Sequence, residues 1–298
     1  MENLTLPSPL VSAKWLKENH HHPQLIILDA SAHMPGSDRD AMAEWKNKHI
    51  KGARFFDFNN AIADTLSSLP HMLPTPEIFT QEAQALGINQ DSIIVIYDSL
   101  GIFSAPRAWW MFMAMGHTQC AVLDGGLPEW EKQKNATHRA EKTAIFNTGN
   151  FVAQYQSDWI KDKNQILHAS QSHSATIIDA RSQARFDGHA KEPREGLISG
   201  HIPHSINLPF TELLENGLFK PTTELRERIN QCYDNKGGNN KSDEANQPLY
   251  ATCGSGITAC IIAFAAHLAG IKKIAVYDGS WCEWGDPNNH LPIDTTTD

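Results

Sequence analysis

Short apolar runs alternate along the chain with longer stretches of helical period. Residues 25–30, 93–97, 176–180 and 249–252 are compact runs of mostly β-branched and other apolar side chains, bounded by polar or turn-forming residues. Such runs are the signature of strands buried on both faces. Between them lie stretches that predict helices. Residues 76–86 have Pro76 in the first turn and Gly87 placed to cap the end, residues 222–232 carry a helical pattern, and residues 258–268 are apolar enough to be buried along their whole length. Strands of this kind joined by helical crossovers predict an α/β architecture, a parallel sheet with helices on both faces.

The pattern occurs twice. Leu25-Ile26-Ile27-Leu28-Asp29-Ala30 corresponds to Thr176-Ile177-Ile178-Asp179-Ala180, and His49-Ile50-Lys51-Gly52-Ala53 to His201-Ile202-Pro203-His204-Ser205. The run Ile93 to Asp98 corresponds to Leu249 to Cys253, and Leu123-Asp124-Gly125-Gly126-Leu127-Pro128-Glu129-Trp130 to Tyr277-Asp278-Gly279-Ser280-Trp281-Cys282-Glu283-Trp284. The order is conserved between the halves and the spacing is roughly 150 positions, too long for a solenoid repeat and fitting for a duplicated domain. The polar stretch 131–150 is the expected boundary, which sets domains at 1–140 and 155–298. A second polar stretch, 235–247, predicts a mobile surface loop ahead of the strand that ends at Cys253.

In parallel sheets of this type ligands bind beyond the carboxyl ends of the strands. Cys253 occupies that place in the second half, followed by Gly254, Ser255 and Gly256 and then by the apolar helix. Helix N-terminal N–H groups favour negative charge there, and the two glycines let backbone fold close around the sulfur, so the turn predicts a nucleophilic thiolate. The first half has Asp98 at the corresponding place and therefore lacks the nucleophile.

Composition narrows the field. A chain of 298 residues with 41% hydrophobic content can bury substantial cores, and a net charge of −9 argues against nucleic acid or an anionic membrane as partner. No apolar run approaches the ~20 residues of a membrane span, and the N-terminus has no secretory pattern. The five cysteines are irregularly spaced with no C-x-x-C, which predicts reduced thiols and a cytoplasmic location, not a disulfide framework or a zinc site. The tract His20-His21-His22 precedes Pro23 and predicts an exposed turn.

Taken together, the two Asp-Gly-x-x-x-Glu-Trp endings, the two His-Ile segments and the six-residue loop 253–258 resemble the two-domain rhodanese family of sulfurtransferases, over nearly the whole chain. The resemblance implies two tandem rhodanese-like domains, each a parallel sheet flanked by helices, the first catalytically silent and the second catalytic. The loop Cys-Gly-Ser-Gly-Ile-Thr is similar to that of the 3-mercaptopyruvate branch, whereas the thiosulfate branch carries Arg and Lys there. Segments 104–110 and 70–74, and Arg185-Phe186 with Glu192-Pro193-Arg194, resemble the same branch.

What the resemblance implies is a two-step transfer. Cys253 takes sulfur from the donor as a persulfide, pyruvate leaves, and a thiol, a thioredoxin-like protein or cyanide accepts the outer sulfur, with no metal or organic cofactor implied; a two-domain chain of this kind can work as a monomer. Gly254, Gly256, Ile257 and Thr258 complete the loop. Arg185 and Arg194 match the family's substrate arginines; on sequence alone they serve equally as ion-pair partners of Glu192 and Glu195, while Arg181 ties loops together near the site. Ser255 hydrogen-bonds either the substrate or its own loop. His71 is placed by the family to relay a proton through Ser255, or is a structural loop residue. The family's usual acidic partner for that histidine is replaced by Asn59, leaving Asp57 or Asp64 as substitutes. His204 stands where the family has glycine and is expected in an unusual backbone conformation, and Trp281 either shields the persulfide or belongs to the core. Cys120, Cys260 and Cys282 are expected in the core. Three other functions compete with this one: a thiosulfate sulfurtransferase, a non-enzymatic persulfide carrier, and a cysteine phosphatase. The last would need an arginine where Thr258 and Ala259 stand.

Overall fold

The computed structural model describes residues 4–140, 146–234 and 247–296; the loop expected at 235–247 lies outside them except for Gln247. The chain divides into two compact units, one of Met1–Leu66 with Leu73–Gln156, the other of Ser67–Met72 with Ser157–Asp298. No described helix is long and apolar enough to cross a membrane.

The first unit is built on a five-stranded parallel sheet in the order Leu10–Val11, Cys120–Leu123, Ile93–Tyr97, Leu25–Asp29, Arg54–Phe55. Every residue of Leu25–Asp29 and Ile93–Tyr97 is buried, as their unbroken apolar runs require of strands covered on both faces. Alternate side chains serve opposite layers: Ile27, Val95 and Tyr97 pack with Leu16 and Trp130 in one. A separate aromatic cluster joins Phe56, Phe79, Phe112 and Phe151. Phe151 is fully buried, and Phe151 and Gln154 donate backbone hydrogen bonds to Ile88 and Met115. These contacts carry the first unit to Gln156, past the polar stretch 131–150. The expected helix is Pro76–Ala85, capped by the Thr75 hydroxyl; Gly87 follows at φ +68, where a Cβ would stand 2.8 Å from Arg54 Nη1.

The second unit repeats the topology: Ile206–Asn207, Thr176–Asp179, Leu249–Thr252, Ile274–Tyr277, Ile160–Lys161, all parallel. The strand registers correspond. Asp29 lies beside Tyr97 in one sheet and Asp179 beside Thr252 in the other, so Asp98 and Cys253 leave their strands at the same point. The apolar helix is Ala259–Leu268, with Ala259 through Ala266 buried. The helix expected at 222–232 is Thr222–Asp234. His204 has φ +63, and its counterpart Gly52 has φ +79, so the turn keeps a left-handed residue in both units. His20-His21-His22 is a half-exposed turn, as expected.

Candidate active site

The second unit's site begins with the turn after Leu249–Thr252. Cys253 is 2% exposed, Ser255 and Ile257 are buried, and Gly256 has φ +78, a conformation that lets the chain double back into the helix at Ala259. Two backbone hydrogen bonds tie the turn to the next crossover: Trp281 N–H donates to the Cys253 carbonyl at 3.0 Å and Cys282 N–H to the Gly254 carbonyl at 2.9 Å. The Ser280 hydroxyl accepts from Cys253 N–H at 3.2 Å and donates to the Tyr277 carbonyl at 2.8 Å. Ser280 does this from φ +49, a strained conformation for a residue with a side chain. The fold keeps it because the hydroxyl orients the backbone that carries the cysteine. Composition does not point to Ser280. The duplication does: its counterpart Gly126 has φ +52, so a side chain has been placed where the other half keeps glycine.

The first unit shows what this turn holds. The Asp98 carboxylate, completely buried, accepts N–H groups from Leu100 on one oxygen and from Phe103, Ser104 and Ala105 on the other, each at 2.9 Å. Leu127 N–H donates to the Asp98 carbonyl at 3.0 Å, the counterpart of the Trp281 bond to Cys253. An anion of the chain's own fills this turn, whereas the loop 253–258 carries no acidic side chain.

Arg185 lies directly over the cysteine turn: a Cβ added to Gly254 would be 3.0 Å from Arg185 Nη2. Its guanidinium donates to Glu192, which also accepts from Arg181 at 2.9 Å. Arg181 in turn forks onto Asp179, with Nη2 at 2.6 Å, donates to the Gly200 carbonyl, and stacks 4.2 Å over the Trp281 ring. The side chains of Arg181, Asp179 and Glu192 are at most 2% exposed and that of Arg185 is 18% exposed. Burial disfavours the Arg181 charge, but Asp179 and Glu192 outweigh it and raise the guanidinium's pKa. Arg181 thus ties loops together, as expected. The ion pair of Arg185 with Glu192 is not a surface pair but the arm that sets Arg185 on the turn.

Arg194 donates to His71 Nε2 at 3.4 Å, which brings two of the expected residues together within this unit; His71 itself has φ +60. Asp57 and Asp64 serve their own loops, Asp57 accepting from the Asn60 amide and Asp64 from Leu66 N–H. Trp281 is 1% exposed and donates through its indole to the Ile198 carbonyl, so it is a core residue beneath Arg181. Cys120, Cys260 and Cys282 are buried, with the Cys260 thiol donating to the Gly256 carbonyl. Burial pushes the Cys282 thiol up to about 11; Arg194 and Arg185 oppose that push while Cys253 and Glu192 add to it, in keeping with the bond that holds Cys282 N–H on the Gly254 carbonyl. Sequence patterns alone gave Cys282 no such position. Among the described residues no group of three or more His, Cys, Asp or Glu side chains could hold a metal.

The rhodanese-like domain matches this chain twice, at residues 12–133 and 161–286. The chain belongs to the rhodanese family. It is 39% identical to a 3-mercaptopyruvate sulfurtransferase of Escherichia coli strain K12, over 95% of this chain and 97% of the relative. It is also 39% identical to a thiosulfate sulfurtransferase of Rattus norvegicus, over 95% and 94%. Among solved structures it is similar to SseA from Escherichia coli, described as one of the 3-mercaptopyruvate sulfotransferases, with TM-score 0.79 and 36% identity over 92% of this chain and 99% of that one. Similar relatives in Mus musculus and Homo sapiens are also named 3-mercaptopyruvate sulfurtransferase, so of the two donors thiosulfate is the less supported for this rhodanese.

Proposed function

We propose that this rhodanese transfers sulfur from 3-mercaptopyruvate to a thiol, a thioredoxin-like protein or cyanide, by way of a persulfide on Cys253. The observation that carries the choice of donor is an uncharged loop, Cys-Gly-Ser-Gly-Ile-Thr, with an anchored guanidinium over Gly254. A small divalent anion such as thiosulfate calls for cations inside the loop. An α-keto acid needs its cation at the far end, where a planar guanidinium matches the carboxylate.

In the first step the Cys253 sulfur attacks the donor's sulfur. The S–S bond forms as the C–S bond breaks, and the carbon leaves with its electron pair as the enolate of pyruvate, which takes up a proton. In the second step the acceptor attacks the outer sulfur and Cys253 leaves as thiolate. Arg185 and Arg194 hold the carboxylate, and the N–H groups of Gly254, Gly256, Ile257 and Thr258 surround the sulfur. Ser255 and His71 handle the proton; the contact of His71 with Arg194 supports a place for it beside the donor. We place the enzyme in the cytoplasm, in keeping with five free cysteines, and as a monomer, since one chain supplies every residue named.

Intact-mass measurement of the reduced protein after exposure to 3-mercaptopyruvate tests the reading. The expected result is a gain of one sulfur atom that Cys253→Ser does not show, with turnover of 3-mercaptopyruvate well above that of thiosulfate. A clear preference for thiosulfate refutes the donor, and a persulfide taken only from another protein refutes the enzyme.

A further inference from the structure

The first unit holds a group of basic side chains, three of them lysines, that the proposed reaction does not use. Lys17 and His20 at the end of the helix Ala13–Asn19, Lys51 in the turn after His49–Ile50, and Lys134 and His138 around the strand Thr137–His138 border one cleft of about 180 Å³. No acidic side chain lines it. In a chain with 34 acidic against 25 basic residues, this grouping of one sign runs against composition.

Three acceptors around the cleft are already engaged. The Lys17 carbonyl accepts from the His20 ring at 2.8 Å, the Ala136 carbonyl from the Trp130 indole at 3.0 Å, and Glu131 pairs with Lys48 at 2.9 Å. None of Lys17, Lys51 and Lys134 has a carboxylate partner among the described residues. The sixth lining residue is Asn135, 9% exposed, whose amide nitrogen and oxygen both lack a hydrogen-bond partner. Its backbone is not loose, since Asn135 N–H donates to Trp130 and Lys134 N–H to Glu131, with Lys134 held at φ +57. A buried amide left without a partner is uncommon, and each instance calls for a group that completes it. Unpaired lysines around such an amide specify the charge of that group.

We propose that this cleft binds a small, multiply charged oxyanion, of the chemistry shared by phosphate, sulfate, sulfite and thiosulfate. The size fits: 180 Å³ is room for a tetrahedral oxyanion with part of its water shell, at about 30 Å³ per water, and is below the roughly 300 Å³ at which pockets for larger organic ligands begin. The lysines supply charge and the Asn135 amide N–H a directed donor, with a small turn of its side chain toward the cleft.

Calorimetric titration with each of the four anions at constant ionic strength tests the site, in the Cys253→Ser background so that no sulfur is transferred. One saturable site is expected. Lys51→Glu, on an exposed residue that folding does not depend on, should weaken it by about tenfold or more through charge reversal, and Asn135→Ala by several-fold. Lys161→Glu, in the second unit, should leave it unchanged. The order of affinities separates the sources: a lead for phosphate points to a phosphorylated ligand, a lead for sulfite or thiosulfate to a sulfur oxyanion. No saturable binding, or equal binding in Lys51→Glu and the parent, would overturn the proposal. Neither result depends on the donor used at Cys253.

Discussion

Replacing Glu192 with glutamine removes one charge from a balanced group of four. Arg181 and Arg185 face Asp179 and Glu192, and Glu192 is the one carboxylate that both guanidiniums share. With its side chain 2% exposed, water cannot replace it. Breaking a buried pair by removing one partner costs about 3–5 kcal/mol. Glutamine keeps one acceptor oxygen for one of the two guanidiniums, so a loss of about 2–3 kcal/mol in the stability of the second unit is expected. The functional consequence is separate. Arg181 retains Asp179 and the Gly200 carbonyl, while Arg185 loses the arm that sets it over Gly254 and recovers rotamer freedom. The expected result is a rise of about tenfold in KM for 3-mercaptopyruvate, equivalent to roughly 1.4 kcal/mol of lost binding. The turnover number should stay within about threefold, because the carboxylate contact is made alike in ground and transition states. Steady-state kinetics below the melting range, alongside urea unfolding, read the two effects independently. A variant that loses stability with KM unchanged would refute the role of Arg185 as the donor's carboxylate partner.

Two further outcomes follow from the structure. Burial pushes the Asp29 carboxyl up to about 6, against hydrogen bonds from Ser31 and Tyr97 that lower it and with Asp98 adding a smaller push. Because the folded-state value lies above the ordinary 3.8, Asp29's contribution is fully present below pH 3.8 and is lost as pH rises through 6. About two pKa units correspond to ~3 kcal/mol, so Asp29→Asn should flatten the stability profile between pH 4 and 6.5, and an unchanged slope in chemical denaturation would show that Asp29 is not the group responsible. His71→Ala should lower kcat for 3-mercaptopyruvate by roughly 10²-fold with little change in KM, and full retained turnover would remove the histidine from the proton path.

The strands and the loop were legible because their signals are local. An unbroken apolar run such as Ile93–Tyr97 has one stable placement, and Cys253 followed by two glycines has one plausible turn. The duplication then supplied topology, since each half confirmed the other's element order. What stayed hidden were relations between residues distant in sequence. Glu192 was visible only as a neighbour of two arginines, and nothing in its spacing shows that it would be buried between Arg181 and Arg185. Trp281 fits shield and core equally in the sequence, and only the guanidinium stacked on it and its burial mark it as core. Ser280 was hidden because a hydroxyl that accepts a backbone N–H leaves no pattern, although comparison with Gly126 reveals a side chain in a glycine position.

The same comparison bears on why the proposed chemistry belongs to the second half and not to the first. The two turns leave their sheets at equal register and are pinned by equivalent bonds, from Leu127 to Asp98 and from Trp281 to Cys253. In the first, a carboxylate on a short side chain reaches four backbone N–H groups, satisfying the helix entrance from within. A turn closed in this way has no donors to offer a ligand. In the second, the residue at that position ends in sulfur, a weak acceptor with a single reactive atom, and the loop is one residue shorter before its helix. The strand ends differ in the same sense: Asp29 has only the uncharged donors of Ser31 and Tyr97 and is pushed toward its neutral form, whereas Asp179 is held by Arg181. That cation is the one through which Glu192 and then Arg185 are arranged over the turn. The substitutions at these two strand ends, Asp98 against Cys253 and Ser31 against Arg181, therefore act together: one frees the turn for the proposed nucleophile, and the other begins the chain of charges that sets Arg185 over that turn, where the proposed reaction needs a cation for the donor's carboxylate.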